Sequence, residues 1–433
     1  MSSTNSVAKS VKIEYQDSID FAIKMDAEDP LRRFRNEFFI PPAGERKESI
    51  YLAGNSLGLQ PRKIREYIGQ ELDDWAKLGV EGHFEARYPW LPYHENLTEM
   101  TARLVGAKPS EVVVMNTLTV NLHLMMVSFY RPTKDKYKII TEYGAFPSDQ
   151  YAVASQAKFR GFNPDDAVIE LTPRPGEDTL RTEDILSLIE KQGDSVALIM
   201  LGDVNYLTGQ AFEVEKISRA AKAKDCRFGL NLAHGAGNLL LKLHDWDIDF
   251  AVWCSYKYLN SGPGSLSGCF VHERHATEFD LPRFAGWWGH NKKDRFKMEP
   301  KFDPIPGAEG WQLSNPPIFQ LAALRASMEI FDEATMVAIR EKCISITGYL
   351  EYLIDQLPKG FCSIITPRNP EERGSQLSIR FSHDPKQMLE ALKKEGAICD
   401  FRNPDIIRAA PVPLYVRYQD VFDFVKILAR FAS

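Results

Sequence analysis

Ala251-Val-Trp-Cys-Ser-Tyr-Lys-Tyr-Leu-Asn-Ser-Gly-Pro-Gly-Ser265 joins an apolar run to a turn-rich loop, with Lys257 at the junction. Phe250 to Cys254 reads as the end of a buried parallel strand, delivering Tyr256 and Lys257 into a loop that contains Gly262, Pro263 and Gly264. A lysine placed there sits beside a core, where desolvation disfavours its charged form and lowers its pKa. A neutral amine is what Schiff-base formation with an aldehyde requires. The alternative is a lysine whose stem packs on the loop while its ammonium reaches water, the commoner fate of this residue type.

Outward from that stretch, apolar strands at 137–141, 196–201, 228–232 and 249–254 alternate with helical segments at 182–191 and 212–224. The alternation predicts βαβ units and a mainly parallel sheet, whose ligands lie beyond the carboxyl ends of the strands. Those ends carry Phe146-Pro-Ser-Asp149, Gly202-Asp203, Asn231 to His234, and Tyr256-Lys257. Earlier, Val112-Val-Val114 runs into Met115-Asn-Thr-Leu-Thr-Val-Asn-Leu-His-Leu124. A strand passing through Asn and Thr into a helix is either an anion cradle or an ordinary N-cap.

A helix from Pro61 to Gly79 is marked by its opening proline, its closing glycine and a stripe of Ile64, Tyr67, Ile68, Leu72, Trp75 and Leu78, which is expected to pack inward. The following loop, Gly82-His-Phe-Glu-Ala-Arg-Tyr-Pro-Trp90, has the makeup of a pocket wall, or else leaves His83 on the surface. Residues 1–48 read as an arm with one short helix. Beyond Ser314-Asn-Pro-Pro-Ile318, helices at 319–338 and 339–356 lead to a smaller terminal unit. There Gln376–Phe381 alternates as a half-buried strand, Pro385–Glu395 is a helix, Ile407–Val412 a strand and Val421–Phe431 a helix. Arg408, set between Ile407 and Ala409, needs a carboxylate partner if buried, either structural or from a substrate.

The 433 residues, 44% hydrophobic and 26% charged, suit an ordinary globular chain. A net charge of -6 without a basic cluster points away from nucleic acid and toward a small ligand. No apolar run approaches a membrane span, and the polar start lacks a signal-peptide core, so a cytoplasmic protein is expected. The six cysteines show no C-x-x-C pair, which predicts reduced, packed thiols and no metal site.

Ala233-His-Gly-Ala-Gly-Asn238, His244-Asp-Trp, Asp249 to Asn260, Gly286-Trp-Trp-Gly-His290 and Ser314-Asn-Pro-Pro-Ile318 together resemble the kynureninase family. The similarity runs from about Tyr51 to Arg430 and takes in Phe146 to Asp149, Cys399-Asp-Phe-Arg-Asn-Pro404 and Pro411-Val-Pro-Leu-Tyr415. It implies an α/β chain of the pyridoxal-phosphate (PLP) transferase-like fold, type I. The parts would be an N-terminal arm (1–48), a large PLP-binding domain with a mainly parallel seven-stranded sheet (49–318), and a linking helix with a small α+β domain (319–433).

The resemblance also assigns roles. Lys257 would bind PLP through a Schiff base and shuttle the proton at the substrate Cα. Leu118 and Thr119 would contact the phosphate, with Tyr256 and Trp287 completing its cradle and Tyr256 also a proton donor. Phe146 would stack on the pyridine ring, with Ser148, Asp149, Asn231 and His234 around the cofactor. Arg408 would form a bidentate clamp on the substrate α-carboxylate, while His83 and Asn315 surround the aromatic ring, Asn315 touching the cofactor too. The reaction implied is hydrolysis of L-kynurenine, or 3-hydroxy-L-kynurenine, to anthranilate or 3-hydroxyanthranilate and L-alanine, in tryptophan degradation and NAD biosynthesis. A homodimer with sites at the subunit interface is implied as well.

Asn231 departs from the family, which has an aspartate facing the pyridine nitrogen at this place. An amide cannot supply that negative charge. Asp149, expected on the same side of the ring, is the residue able to compensate. The alternative is a weakened or silent PLP-binding relative. Gly202 also stands where some members have a serine.

Overall fold

Strands covered on both faces read as continuous apolar runs, and β1 (Val112–Met115), the first of the main sheet, is buried along its whole length. The computed structural model describes residues 13–382 and 385–432. Ahead of β1 come helices α1 (Ile19–Glu28) and α2 (Ile64–Leu78). After it follow α3 (Leu118–Phe129), β2 (Lys138–Glu142), α4 (Pro147–Phe159), β3 (Val168–Leu171) and α5 (Thr182–Gln192). Next are β4 (Val196–Gly202), α6 (Val214–Ala223), β5 (Arg227–Asn231), β6 (Phe250–Cys254) and β7 (Ser267–Val271).

These seven strands form one sheet in the order β1-β7-β6-β5-β4-β2-β3. All neighbours are parallel except at β7, which is antiparallel to both β1 and β6. Successive side chains point to opposite layers. Val112, Val114, Ile199, Leu201, Leu230 and Trp253 pack with Ile185 and Ile189 of α5 and Val214 and Ile217 of α6. Val113, Met115, Leu198, Met200, Phe250 and Val252 pack with Leu122 and Met125 of α3 and Val153 of α4.

Helices α7 (Ile318–Ala334) and α8 (Met336–Asp355) meet at Thr335, whose φ of 64° breaks the helix and whose hydroxyl caps the second one. A second sheet comprises β8 (Cys362–Ile364), β9 (Leu377–Phe381), β10 (Asp400–Arg402) and β11 (Ile406–Ala409), with α9 (Pro385–Lys394) before β10 and α10 (Tyr418–Ala429) at the end. Its order is β8-β9-β11-β10, antiparallel throughout. Helix α1 lies on α10, where Asp26 accepts the backbone N–H groups of Tyr418 and Gln419 at 2.7 and 3.1 Å. The two-residue strand Ile50–Tyr51 pairs with Ala397–Ile398.

Two local expectations are corrected. Helix α2 starts at Ile64 because Gln60–Pro61 is spent on a short ladder with Phe38–Phe39. Its inward face keeps only the first part of the apolar stripe: Ile64 is buried and Tyr67 and Ile68 pack on the core, whereas Leu72 and Trp75 are 47% and 58% exposed and Glu71 and Asp74 are buried in their stead. Glu71 faces in because its carboxylate accepts hydrogen bonds from Trp90 Nε1 (2.9 Å) and Tyr93 OH (3.0 Å). Strand β9 is buried apart from Arg380, since the polar residues Gln376 and Ser378 bond to carbonyls of the 206–207 loop.

Among the described residues no helix is long and apolar enough to cross a membrane. All six cysteines are free thiols, five of them buried.

Candidate functional site

Strand register brings the polar exits of the sheet to one level. Gly202 at the end of β4 lies opposite Asn231 at the end of β5, and Asn231 lies opposite Val252 in β6. Around this point one cavity is lined by Leu118, Thr119, Glu142, Phe146, Ser148, Asp149, Gly202, Val204, Tyr206, Asn231, Ala233, His234, Tyr256 and Lys257. Every strand exit named from the sequence contributes to it, and the start of α3 closes one side.

Lys257 follows β6 by a tight turn, and its Nζ lies 3.0 Å from His234 Nε2 and 5.8 Å from the centre of the Phe146 ring. Burial lowers the lysine pKa, and the guanidiniums of Arg408 and Arg402 lower it further. Burial, together with the charge at Lys257, holds His234 well below the usual imidazole range. Amine and imidazole are therefore both biased toward their neutral forms, which leaves the amine nucleophilic. The loop carrying Lys257 is held from outside by Gly58, whose N–H donates to the Tyr256 carbonyl at 2.9 Å. A Cβ at Gly58 would come within 2.2 Å of the Lys257 carbonyl.

Three buried carboxyls lie around the cavity. Asp149 is pushed up to about 6 by burial, against the stabilising contacts of Asn231 and Lys257. Glu142 is pushed up to about 7 by burial, although its Oε2 accepts the Gly202 N–H at 2.9 Å. Burial raises Asp203 to about 8. Asn231 faces Asp149 directly: its Nδ2 donates to the two carboxylate oxygens at 2.9 and 2.8 Å, and its Oδ1 accepts the Ala233 N–H at 2.9 Å. Tyr256 is raised to about 12 by burial and by its neighbour Cys254, so it stays protonated.

Arg408 is 1% exposed and finds the partner that its burial demands. Its Nε donates to Asp400 Oδ1 at 2.6 Å, Nη2 also reaches Asp400, and Nη1 donates to the Tyr206 carbonyl at 2.6 Å. The carboxylate is thus internal, supplied by the facing residue of β10.

Leu118, Thr119, Phe146, Ser148, Asp149, Asn231, His234, Tyr256 and Lys257 line the cavity as a set, with Arg408 adjoining it through Tyr206. His83, Trp287 and Asn315 do not line it. His83 is half-buried, its Nδ1 3.0 Å from the Val80 carbonyl and its ring edge-on to Trp90. Trp287 is 41% exposed and donates to the Arg295 carbonyl at 3.0 Å. Asn315 is exposed. Residues added by the structure are Glu142, Tyr206, Ser56, Asp400 and Arg402. Glu142 is the last residue of β2, one position past the strand end read from the sequence, so the strand-exit rule with a corrected boundary reaches it.

The donor set suits PLP. A buried amine kept from its ordinary charge suits the aldehyde, and the exposed face of Phe146 suits an aromatic ring. A carboxyl-amide pair at the base suits a heterocyclic nitrogen. Helix α3 begins without a side-chain cap, leaving its first N–H groups and the Thr119 hydroxyl for a phosphate.

Solved structures with the same fold include an apo cysteine desulfurase from Thermococcus onnurineus (TM-score 0.74, 18% identity, 91% of this chain and 98% of that one). They also include a C-DES variant with glycine covalently linked to its PLP cofactor (TM-score 0.74, 16% identity, 88% of this chain and 96% of that one). At such identities the likeness speaks for the fold alone. Residues 339–428 match the model of the kynureninase C-terminal domain. The kynureninase of Myxococcus xanthus is 65% identical over 414 residues, covering 96% of this chain and 97% of that protein. The kynureninase of Koribacter versatilis is 61% identical, covering 94% of this chain and 96% of that protein. That of Nematostella vectensis is 50% identical, covering 95% and 93%. Because identity of this order covers nearly the whole chain and nearly the whole of each relative, the chain belongs to the kynureninase family.

Proposed function

We propose that this chain is a PLP-dependent hydrolase that cleaves the bond between Cβ and Cγ of L-kynurenine, or of its 3-hydroxy form, to give anthranilate or 3-hydroxyanthranilate and L-alanine. The observation that carries the reading is the Lys257 amine, depressed in pKa and 3.0 Å from His234 Nε2, at the focus of a cavity built from four strand exits.

PLP, when bound, supplies the electron sink for the carbanion chemistry. The chain supplies orientation and proton transfer. Lys257 holds the cofactor, and its Nζ then takes and returns the proton at the substrate Cα. Tyr256, protonated throughout the physiological range, is the proton donor. Leu118, Thr119 and Ser148 hold the phosphate at the start of α3 and α4, and Phe146 covers the ring. Asp149 supplies the negative charge toward the ring nitrogen that Asn231 cannot, and the Asn231 amide fixes its carboxylate in place. A silent relative is the reading that Asn231 alone suggests; the Asn231–Asp149 contact speaks against it by keeping a carboxyl at that end of the cavity.

A homodimer belongs to the same proposal. Trp75 and Phe84 are 58% and 58% exposed, and an apolar groove of Phe39, Ile40, Leu57 and Phe319 flanks the loop that follows Lys257. His83, Trp287 and Asn315, outside the cavity of their own chain, would serve the site across such an interface. The arm (1–48), large PLP-binding domain (49–318) and small domain (319–433) are kept as its parts, and reduced thiols support a cytoplasmic setting.

The test is direct. Purified protein loaded with PLP and given L-kynurenine is expected to release anthranilate, followed by its fluorescence, with one L-alanine per turnover. No anthranilate from L-kynurenine and no 3-hydroxyanthranilate from 3-hydroxy-L-kynurenine with the fully loaded protein refutes the proposal.

A further inference from the structure

Arg408 shares its carboxylate with a second guanidinium. Asp400 and Arg402 are two residues apart on β10, so both side chains emerge on the face that meets Arg408 across the ladder. Arg402 Nη2 donates to Asp400 Oδ2 at 3.2 Å, and its Nη1 reaches only the carbonyl of its neighbour Phe401, at 3.3 Å. Its Nε is buried with no acceptor. Asp400 also accepts the Ser56 hydroxyl, and Ser56 Oγ receives Arg408 Nη2 at 3.1 Å.

Two consequences follow from this arrangement. The Nε–Nη2 edge of Arg408 is fully occupied by Asp400 and Ser56, so the hydrogen still to be given is on Nη1, beside the cavity-lining Tyr206. Two guanidiniums against one carboxylate also leave a surplus positive charge. Both guanidiniums reach the centre of the site electrostatically, since both depress Lys257 and His234.

We propose that Asp400 and Arg402 are positioning residues for the α-carboxylate of the amino-acid substrate: Asp400 fixes the far edge of Arg408 so that Nη1 turns to the cavity, and Arg402 restores the positive charge that Asp400 cancels. Without Arg402, the neutralised Arg408–Asp400 pair would offer a carboxylate geometry but little attraction. The inference rests on the amino-acid substrate of the proposed function and adds how its carboxylate is selected.

The experiment compares two ligands on the PLP-loaded enzyme: L-kynurenine and the corresponding amine that lacks the carboxylate. Affinities come from KM for the first and from competitive inhibition and calorimetry for the second. In Arg402→Gln, L-kynurenine is expected to weaken about tenfold, more at low than at high salt, with kcat little changed and the amine bound as before. Arg402→Lys is expected to recover most of the loss. Asp400→Asn should also weaken L-kynurenine selectively, although it adds net positive charge, because Arg408 loses its aim. Equal weakening of both ligands in Arg402→Gln, no recovery in Arg402→Lys, or tighter L-kynurenine binding in Asp400→Asn overturns the proposal. A wild-type enzyme that binds both ligands alike and makes no anthranilate instead refutes the proposed function, whatever the variants do.

Discussion

Asp149→Asn is expected to move stability and activity in opposite directions. Its carboxyl is raised from 3.8 to about 6 in the fold, chiefly by burial, a shift of about two units. At ~1.4 kcal/mol per unit, that is about 3 kcal/mol of cost for holding the ionised carboxylate inside. The sign follows from proton counting. Between the unfolded and folded pKa values the folded protein binds more protons than the unfolded one, so stability falls as pH rises from about 4 to about 6. The amide carries no such penalty and still presents an oxygen to Asn231 Nδ2. Urea unfolding of the apoprotein should therefore show wild type and Asp149→Asn nearly equal at pH 4, with the variant gaining up to about 3 kcal/mol by pH 8. Turnover should fall by about 10² to 10⁴, the rate equivalent of losing the charged half of a buried pair worth about 3 to 5 kcal/mol. The double change Asn231→Asp with Asp149→Asn puts the carboxylate back at the same contact and should recover most of the turnover. A variant that is less stable than wild type at pH 8, or that turns over normally, refutes the assignment of the charge to Asp149.

Three further outcomes follow from the same geometry. Lys257→Ala should keep the fold, since it removes a buried amine, yet borohydride reduction with PLP should no longer leave an adduct on the peptide spanning 251–265, as read by mass spectrometry. Gly58→Ala forces a methyl to 2.2 Å from the Lys257 carbonyl, so PLP affinity measured by absorbance titration should drop about tenfold or more while the second sheet stays intact. Glu71→Ala strands the buried Tyr93 hydroxyl and the half-buried Trp90 indole N–H and should cost about 2 to 3 kcal/mol in chemical unfolding, whereas Trp75→Ala, on the exposed side of the same helix, should cost a monomer almost nothing.

The contrast between Glu71 and Trp75 shows where sequence reading holds and where it stops. Periodicity found helix α2, because spacing depends on the backbone repeat alone. It placed Ile64, Tyr67 and Ile68 inward correctly but carried the buried stripe on to Leu72 and Trp75, because from Glu71 onward the buried face depends on Trp90 and Tyr93, about twenty residues away, offering hydrogens to a carboxylate. The main sheet was legible for β2, β4, β5 and β6 because parallel strands between helices must be apolar on both faces. Edge strand β3 is short and carries Glu170, and β7, though as long as β5 and β6, opens on Ser267-Gly268 and so shows no continuous apolar run. In the site, residues on consecutive strand exits were legible as a group, since strand order places those exits side by side. Asp400 and Arg402 lay within a quoted motif, but their meaning appears only when the antiparallel register sets Asp400 opposite Arg408.

The three buried carboxyls explain why Asp149, and not a neighbour, is the group that carries charge. Burial raises all three, but unequally: about 6 for Asp149, about 7 for Glu142 and about 8 for Asp203. Like charges this near disfavour joint ionisation, so the carboxyl with the best donors ionises first and keeps the others protonated. Asp149 has those donors in the Asn231 amide at 2.8 and 2.9 Å, whereas Glu142 has only backbone N–H groups and the repulsion of Asp149 itself. Near neutral pH the cavity therefore holds one settled negative charge at the base and two carboxyls able to keep their protons. An aspartate at 231 would have to share a proton with Asp149 at the same distance, which yields the same single charge. Seen in this way, the amide at 231 removes a proton-sharing partner and leaves the charge where it stood, and that is why the double change rather than Asn231→Asp alone is the informative experiment.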